Sequence, residues 1–431
     1  MISAVDFWLA LLAVSAGVTL YAYFGYPLLL WAHRSVRKRQ PAVRKPLAGD
    51  SVTAGAPSPS QQDWPRISIT LPAYNAQATL RPVLEGLTRV DYPRDRRQIL
   101  VVSDGSTDGT DDLVREFAPQ GVELLRIEGR LGKTEIENRA MDALTGDIII
   151  NTDASVTVDA AAIKHLVAAL GDPAIGVASG RDISVASVGA TGHGGEAAYV
   201  GYEMWIRELE TDVDAIVGSS GCLYAIRAPL HRRKLPGHLS RDFSSALWAK
   251  LNGVRAVTVN DAICYVPRAA SMRIEYRRKI RTMSRGIQTL FHHGTLLNPL
   301  RYGLFAWLLW SHKLIRWLVP WCLALGAVAV VAIFALTWLS GGAADASGLG
   351  RVPVSALRPW SAASLLALLA GLGLAAVGWW WPRNGRPPRL ASMAAFFVSG
   401  TVAGIIAWTR ALGDRRAPVW EPTPRAMGER A

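Results

Sequence analysis

Acidic residues follow apolar runs in this chain, where a folded sheet would present them to a ligand. Ile99 to Val102 is an apolar run that predicts a buried strand, and Ser103-Asp-Gly-Ser-Thr-Asp108 ends it. A second run, Asp147-Ile-Ile-Ile-Asn-Thr-Asp153, also ends in a carboxylate. Open α/β sheets bind ligands at the carboxyl ends of their strands. A carboxylate there can accept a hydrogen bond, hold a hard cation or act as a base. The alternative is an ordinary acidic turn or helix N-cap.

Strand-like and helix-like segments alternate around these acids from Arg66 onward. The expected strands are Ile67 to Leu71, Ile99 to Val102, Val122 to Ile127, Asp147 to Asp153 and Gly176 to Gly180, and the expected helices are Ala76 to Arg89, Asp111 to Phe117 and Lys133 to Leu144. This spacing is typical of βαβ units, so we expect an α/β domain with a mostly parallel sheet. Arg241-Asp242 begins a further helical stretch.

The composition combines an apolar chain with a large positive charge. The 431 residues are 50% hydrophobic and carry a formal net charge of +13. This pairing indicates a membrane protein with basic cytoplasmic loops. Nucleic-acid binding is a competing explanation of the charge, but the basic runs lie beside apolar spans, so we expect no nucleic-acid partner. Cys222, Cys264 and Cys322 are far apart and have no metal-ligand spacing, which indicates a reduced compartment.

Four apolar segments predict a multi-pass membrane protein. Val5 to Trp31 is long enough to cross a bilayer and lacks a cleavage-site pattern. The basic residues that follow it are His33, Arg34, Arg37, Lys38, Arg39, Arg44 and Lys45. By the positive-inside rule, the α/β region is then cytoplasmic. The later spans are Leu318 to Leu339, Ala362 to Trp381 and Ala391 to Trp408. Three later crossings would put the basic tail outside, so either the last segment does not cross or the rule fails here.

The predicted organisation has six parts. They are an N-terminal transmembrane helix (1–31), a basic linker (32–65), the α/β domain (66–268), interfacial helices (269–317), C-terminal transmembrane helices (318–412) and a basic tail (413–431). In the interfacial part, the spacing of Arg278, Arg281 and Arg285 places them on one helix face, and apolar residues occupy another. Such a helix can lie in the membrane interface.

Four segments, taken together in chain order, resemble the family 2 glycosyltransferases. They are Pro72-Ala-Tyr-Asn75, Ser103-Asp-Gly-Ser-Thr-Asp108, Asn151-Thr-Asp-Ala-Ser155 and Arg241-Asp242. The resemblance covers roughly residues 66 to 290. It implies a Rossmann-like GT-A fold and inverting transfer from a sugar nucleotide. The membrane segments are similar to those of the polysaccharide-synthase branch, which implies a bacterial inner-membrane location.

The resemblance also implies a nucleotide and metal site. A diphosphate leaving group needs a divalent cation, Mg²⁺ or Mn²⁺, and such hard cations take oxygen ligands. Asp153 matches the first acid of the family's DxD motif, while the second position is Ser155, a departure. Asp104, followed by Gly105, matches the carboxylate that recognises uracil, which implies a UDP-sugar donor. Pro72, Ala73, Tyr74 and Asn75 would line the same pocket through backbone groups.

Further matches concern charge and catalysis. Lys133 matches a lysine that reaches the nucleotide, or it is a solvated lysine in a first helical turn. Asp242 occupies the position of the catalytic base, although Arg241 replaces the usual preceding acid. Its alternative is a helix N-terminal Asp favoured by the macrodipole. Processive members carry Gln-x-x-Arg-Trp; this chain has Thr282-Met-Ser-Arg-Gly286, which keeps only the Arg.

These matches define three hypotheses for function. The first is a glycosyltransferase that moves a sugar from a UDP-sugar to a lipid-linked or polysaccharide acceptor at the cytoplasmic face, among membrane lipids. Arg281 and Arg285 would clamp diphosphate or acceptor, or they belong to an ordinary basic membrane-facing helix. The second is a processive synthase that threads its product through the membrane. The third is a catalytically silent membrane scaffold that binds a nucleotide.

Overall fold

The computed structural model describes residues 4–39, 64–185, 194–267, 271–339, 354–382, 385 and 387–413. Most of the predicted linker and nearly all of the predicted basic tail lie outside the described residues. The described part consists of one mixed α/β region joined to long apolar helices.

One sheet of eight strands forms the centre of the α/β region. The strands are β1 (Ile67–Ala73), β2 (Arg97–Asp104), β3 (Val122–Ile127), β4 (Ile148–Thr152), β5 (Thr157–Val158), β6 (Ile175–Val185), β7 (Leu223–Arg227) and β8 (Arg255–Pro267). Their order across the sheet is β3-β2-β1-β4-β7-β6-β8-β5. Among the described strands, four neighbouring pairs are parallel and three are antiparallel. The predicted mostly parallel α/β fold is confirmed, and β5, β7 and β8 are strands that the sequence patterns did not predict.

Helices cover both faces of the sheet and continue into the apolar part of the chain. They are α1 (Ala4–Leu20), α2 (Tyr26–Arg39), α3 (Gln77–Thr88), α4 (Thr110–Glu116), α5 (Lys133–Ala140), α6 (Ala162–Ala169), α7 (Gly194–Val213), α8 (Ala228–His231), α9 (Arg241–Leu251), α10 (Met272–His292), α11 (Pro299–Leu309), α12 (Arg316–Leu339), α13 (Val354–Trp380) and α14 (Arg389–Leu412). Short π-helical segments join α1 to α2 and α11 to α12.

The central strands are buried on both faces, as parallel strands between helices must be. All seven residues of β1 and all five residues of β4 are buried. One core layer packs the sheet against α3 and α6, with Leu80 and Leu84 fully buried. The opposite layer packs it against α5 and α9 through residues such as Ile136. The sheet is therefore a rigid platform whose carboxyl edge can hold side chains in place.

Four described helices are long and apolar enough to cross a membrane. They are Ala4–Val36, Pro299–Leu339, Ala356–Trp380 and Arg389–Leu412. Each coincides with one predicted span. The second is longer than predicted, because the chain stays helical through the π segment Trp310–Ile315. The boundary predicted at residue 317 between interfacial and membrane helices therefore falls inside one continuous helix.

Helix α14 packs closely against α10 and α12. Ser284 Oγ of α10 donates a hydrogen bond to the Ala407 carbonyl oxygen over 3.2 Å, and Trp408 Nε1 donates to the Trp317 carbonyl oxygen over 2.7 Å. The apolar face of α10, including Ile287 and Leu290, is fully buried in protein. The basic helix predicted to lie in the membrane interface thus packs by its apolar side against α14, a candidate membrane span.

A buried cluster of charges ties the α/β region to the apolar helices. Both ring nitrogens of His312 contact carboxylates of α7, with Nδ1 2.6 Å from Glu210 Oε1 and Nε2 2.8 Å from Glu203 Oε1. Tyr26 of α2 donates a hydrogen bond to Glu210 Oε1 over 2.6 Å. Arg316 Nη1 lies 3.0 Å from Glu203 Oε2. Buried carboxylates are stable only with such partners, so α7 cannot leave these helices without a large penalty.

Gly404 provides a test of the helix packing. A methyl group added there would overlap the ring of Pro320 in α12, whereas Gly373 in α13 is exposed and has no neighbour within 4 Å. We expect Gly404→Ala to destabilise the protein by about 1–3 kcal/mol, the usual cost of overpacking. Thermal unfolding of the detergent-solubilised protein measures the effect, with Gly373→Ala as the control. Equal unfolding temperatures for the two variants would contradict the close packing of α14.

Candidate active site

One cavity opens at the carboxyl edge of the sheet, where β1 and β4 end. Its volume is about 780 Å³. Tyr74 and Asn75 enter it directly after β1, and Asp153 and Ser155 enter it after β4. The other walls come from the amino-terminal turns of α5 and α9 and from the basic face of α10. Those walls contribute Lys133, Thr134, Glu137, Arg241, Asp242, Arg278, Arg281, Thr282 and Arg285.

The cavity brings together most of the residues that the sequence motifs singled out. Tyr74, Asn75, Lys133, Asp153, Ser155, Asp242, Arg281 and Arg285 all line it. Pro72, Ala73, Asp104 and Gly105 are not among its lining residues. Pro72 and Ala73 are the last residues of β1, paired with Val102 and Ser103 of β2. They position the loop that follows them.

The first two motifs interlock through Asn75. Its φ of +44° lies in the left-handed region, which Asn tolerates better than most residues. The Asn75 side-chain oxygen accepts a hydrogen bond from the Thr107 backbone N–H over 2.8 Å. The Asn75 backbone N–H donates to Ser106 Oγ over 3.2 Å. The loops after β1 and β2 thereby form one unit at the cavity rim.

Asp104 is buried and acts on the loop that precedes α5. Its Oδ1 accepts a hydrogen bond from the Leu131 N–H over 2.7 Å, and its Oδ2 accepts one from the Gly132 N–H over 2.9 Å. Gly105 has a φ of +64°, and a side chain there would overlap the backbone of Gly129. In this arrangement Asp104 fixes the backbone just before Lys133. Its recognition of a uracil base stays a prediction.

Lys133 forms an ion pair with the predicted metal ligand. Lys133 Nζ lies 2.6 Å from Asp153 Oδ1 inside the cavity. Burial by itself lowers the pKa of Lys133, but the carboxylates of Asp153, Glu137 and Asp242 more than offset this effect, and the pKa is raised above its usual value. The ammonium therefore stays charged at neutral pH, and it is not the solvated lysine of the alternative reading.

Arg241 is held by a carboxylate that the motifs did not indicate. Arg241 Nε lies 3.4 Å from Glu137 Oε2, and each side chain is only 2% exposed. Arg241 also donates to the carbonyl oxygens of His231 and Arg233, over 3.0 and 3.2 Å. Burial raises the pKa of Glu137, and Lys133 and Arg241 oppose the rise. The sequence signal for Glu137 was its i,i+4 spacing from Lys133 on one helix face.

Asp242 lies in the first turn of α9 and also lines the cavity, and its role as the catalytic base stays a prediction. Its Oδ1 accepts hydrogen bonds from the Phe243 N–H, over 2.9 Å, and from the Ser240 hydroxyl, as a residue in a first helical turn does. The same side chain lines the cavity. A Cβ at Gly221 would lie 2.6 Å from Asp242 Oδ2, so this close approach requires glycine. The carboxylate is therefore held in one orientation at the cavity wall.

The two predicted arginines of α10 have different surroundings. Arg285 Nη2 donates hydrogen bonds to Thr134 Oγ1 over 2.7 Å and to the Leu239 carbonyl oxygen over 2.5 Å. Burial lowers the pKa of Arg285. It therefore ties α10 to the first turn of α5. Arg281 lines the cavity together with Arg278, whose Nε lies 2.7 Å from Glu275 Oε2.

The residues around Asp153 fit a hard divalent cation that arrives with other ligands. Within the described parts of the chain, no group of three or more His, Cys, Asp or Glu side chains could hold a metal ion. Asp153 and Ser155 supply oxygen atoms, and the ammonium on Asp153 Oδ1 marks a position where positive charge is stabilised. Mg²⁺ typically takes one or two carboxylates and completes its shell with phosphate oxygens and water.

The sheet and its covering helices form a domain of the GT-A type. Residues 68–225 match the family model described as Glycosyl transferase family 2. This match agrees with the family resemblance that the motifs indicated for this part of the chain.

Known relatives match parts of this region. The probable glycosyltransferase YdaM of Bacillus subtilis is 30% identical over 116 residues, 26% of this chain and 28% of its own length. The beta-monoglucosyldiacylglycerol synthase of Synechocystis is 29% identical over 117 residues, 26% of this chain and 24% of its own length. This chain therefore spans about a quarter of the length of these relatives.

A solved structure extends the similarity of the fold to nearly the whole chain. The mannosyltransferase PcManGT from Pyrobaculum calidifontis, in complex with GDP-Man and Mn²⁺, has a TM-score of 0.63 and 24% sequence identity. The match covers 94% of this chain and 99% of that one. At this identity the likeness concerns the fold, including the helices outside the family domain.

Gly221 tests the orientation of Asp242. Gly221→Ala should push the Asp242 carboxylate away from its position and lower sugar transfer by about 10-fold or more, since a misplacement of about 1 Å can cost 10²-fold. Gly201 is an exposed glycine of α7 with no neighbour within 4 Å, so Gly201→Ala is the control. Transfer rates and unfolding temperatures are measured for both. Full activity of Gly221→Ala would show that the orientation of Asp242 is unimportant.

Proposed function

We propose that this protein transfers a sugar from a UDP-sugar to a lipid-linked or polysaccharide acceptor, with inversion at the anomeric carbon. The observation that carries the proposal is the joint presence of Asp153 and Asp242 in one cavity at the carboxyl edge of a family 2 glycosyltransferase domain. One carboxylate can serve the leaving group and the other the nucleophile. Four apolar helices indicate membrane association. We propose that the domain faces the cytoplasm of a bacterial inner membrane.

The leaving-group side of the reaction centres on Asp153. When bound, a divalent cation neutralises charge on the departing diphosphate. Asp153 and Ser155 would hold that cation, and Lys133 is close enough to Asp153 to reach the same phosphates. Arg281 lines the same cavity and adds positive charge there. Charge of this kind, aimed at where negative charge develops, is usually the largest contribution to catalysis.

The nucleophile side centres on Asp242. An acceptor hydroxyl is a poor nucleophile at neutral pH, so a base must take its proton while the new bond forms at the anomeric carbon. The proton passes to the Asp242 carboxylate, and the bond to the diphosphate breaks as the acceptor oxygen attacks from the other side. Ser240, the Phe243 N–H and Gly221 keep that carboxylate in place. Its orientation therefore needs no rearrangement during the reaction.

The acceptor proposal is supported by the wall of the cavity that α10 forms. The basic face of α10 lines the cavity, and its apolar face packs on α14, one of the candidate membrane spans. A lipid-linked acceptor could therefore reach the cavity from the membrane side. A processive synthase is the second candidate, and the departure from Gln-x-x-Arg-Trp in Thr282-Met-Ser-Arg-Gly286 speaks against it. A silent nucleotide-binding scaffold is the third.

The decisive experiment measures nucleotide release by the full-length protein in detergent or nanodiscs. A panel of UDP-sugars is tested with a membrane lipid extract and a divalent cation. Asp242→Asn should keep nucleotide binding and lose about 10²-fold or more of the transfer rate, because general base catalysis is worth that much. Asp153→Asn should lose metal-dependent transfer. Asp91→Asn is the control, because Asp91 pairs with Lys164 outside the cavity lining.

Three outcomes separate the candidates. Release with one sugar and a single added residue supports the proposed transferase. A long product from one acceptor supports the processive synthase instead. Nucleotide binding without release, for every sugar and acceptor, supports the scaffold. Normal transfer by Asp242→Asn would assign the base to another residue.

The base preference is tested by competition. If Asp104 recognises uracil, UDP should compete with the donor at least about 10-fold better than GDP or ADP, because a mismatched base leaves a buried carboxylate unpaired. Asp104→Asn should then remove the preference. If Asp104 only holds the loop through its hydrogen bonds to Leu131 and Gly132, Asp104→Asn should instead lower the affinity for all nucleotides equally, because the loop is displaced. Equal competition by all three nucleotides would rule out recognition of uracil by Asp104.

A further inference from the structure

Lys133 and Asp153 form the ion pair at the centre of the cavity, and the pair has a consequence for the order of binding. Lys133 Nζ lies 2.6 Å from Asp153 Oδ1, and the two side chains are only 19% and 22% exposed. A divalent cation that takes this oxygen would come within a few ångströms of the ammonium. Two positive charges at that distance repel each other strongly where solvent screening is weak.

We infer that Lys133 is a built-in competitor of the metal ion for Asp153, so that the cation binds weakly alone and tightly only together with a nucleoside diphosphate. The inference rests on the proposed function. It assigns to Lys133 a positioning role before the reaction, in addition to its contact with the nucleotide.

The charges around the pair support an exchange of partners. Lys133 pairs with Asp153, Arg241 pairs with Glu137, and Asp242 lines the same cavity. A divalent cation alone would add positive charge beside Lys133. A diphosphate brings negative charge with the cation, and it offers the ammonium a new partner. The diphosphate thereby offsets the charge of the cation beside Lys133, in a cavity whose walls also carry Arg130, Arg278, Arg281 and Arg285.

The backbone of Lys133 is fixed, and its side chain is long. Asp104 holds the N–H groups of Leu131 and Gly132, which fixes the start of α5. The four-carbon stem of a lysine is flexible and carries a compact charge. The ammonium can therefore leave Asp153 and follow a phosphate without movement of the helix.

The small number of metal-ligating side chains also supports binding of the cation together with the nucleotide. Among the residues that the structure describes, no set of three or more His, Cys, Asp or Glu side chains could hold a metal ion. A cation at Asp153 and Ser155 needs further oxygen atoms, and a diphosphate supplies them. The same diphosphate removes the competitor. Metal and nucleotide should then increase each other's affinity by the same factor, since coupling between two ligands is reciprocal.

Mn²⁺ binding to the full-length protein, followed by the electron paramagnetic resonance of free Mn²⁺, tests the inference. The probes are Mn²⁺ alone and Mn²⁺ with saturating UDP or GDP. For the wild type, we expect Mn²⁺ to bind at least about 10-fold more tightly with nucleotide than without, within the usual range of coupling. Lys133→Met should bind Mn²⁺ alone about 10-fold more tightly than the wild type does. A residue that only supported the fold would not increase metal affinity when removed.

Further variants distinguish competition from a general change of charge. Lys133→Gln repeats the test with a polar side chain, in case the methionine variant does not fold. Lys133→Arg keeps the positive charge and should restore weak binding of Mn²⁺ alone. Lys164→Met is the matched control, because Lys164 pairs with Asp91 over 2.7 Å outside the cavity lining and should leave Mn²⁺ affinity unchanged. Adding Asp153→Asn to Lys133→Met should abolish the gain.

The result that overturns the inference is distinguishable from a failure of the proposed function. If the wild type binds Mn²⁺ with nucleotide but neither Lys133→Met nor Lys133→Gln binds Mn²⁺ alone more tightly, the competition is wrong and the metal site stands. If no variant binds Mn²⁺ under any condition, both the competition and the metal site are wrong. Equal gains of Mn²⁺ affinity in Lys133→Met and Lys164→Met would show that the gain comes from the change in net charge, and this result would also overturn the inference.

Discussion

Three carboxylates face one partly buried cavity, and their mutual repulsion is the constraint on which the rest of the site depends. Asp153 pairs with Lys133, Glu137 pairs with Arg241, and Asp242 lines the same cavity. Helix α5 presents a cation and an anion one turn apart. Helix α9 contributes two adjacent residues with different partners. Arg241 pairs with Glu137, and Asp242 lines the cavity. The fold can be understood as the means of holding these five charges at fixed distances.

Hydrogen bonds around the cavity also hold its walls in place. The loop before α5 is held by a buried carboxylate at two consecutive N–H groups. Arg285 joins α10 to α5 and to the carbonyl oxygen of Leu239. These bonds connect the sheet edge, the basic wall and the helices packed behind it. The cavity therefore has a defined shape before any ligand enters, and its long lysine side chain is the part most able to adjust.

The strands and the candidate carboxylates could be predicted from the sequence because their signals are local. An apolar run followed by Ser, Gly and Asp indicates a strand that ends at an exposed turn, and each such run is a strand in the structure. The pairing of Glu137 with Arg241 could not be predicted, because it joins residues about a hundred positions apart. The hydrogen bonds of Asp104 to the N–H groups of Leu131 and Gly132 were also not predicted, because they join two separate loops. Strand β8 was missed because its polar residues interrupt the apolar pattern.

The buried contacts of His312 with Glu203 and Glu210 have a consequence for how this protein can change over evolutionary time. A glycosyltransferase domain is often regarded as a module that can be moved from one chain to another. Here, separation of α7 from its helical neighbours would leave two carboxylates in an apolar surface without their partners. The cost of separating them favours exchange of the domain together with its helices, and it favours paired changes at His312 and on α7 over single ones.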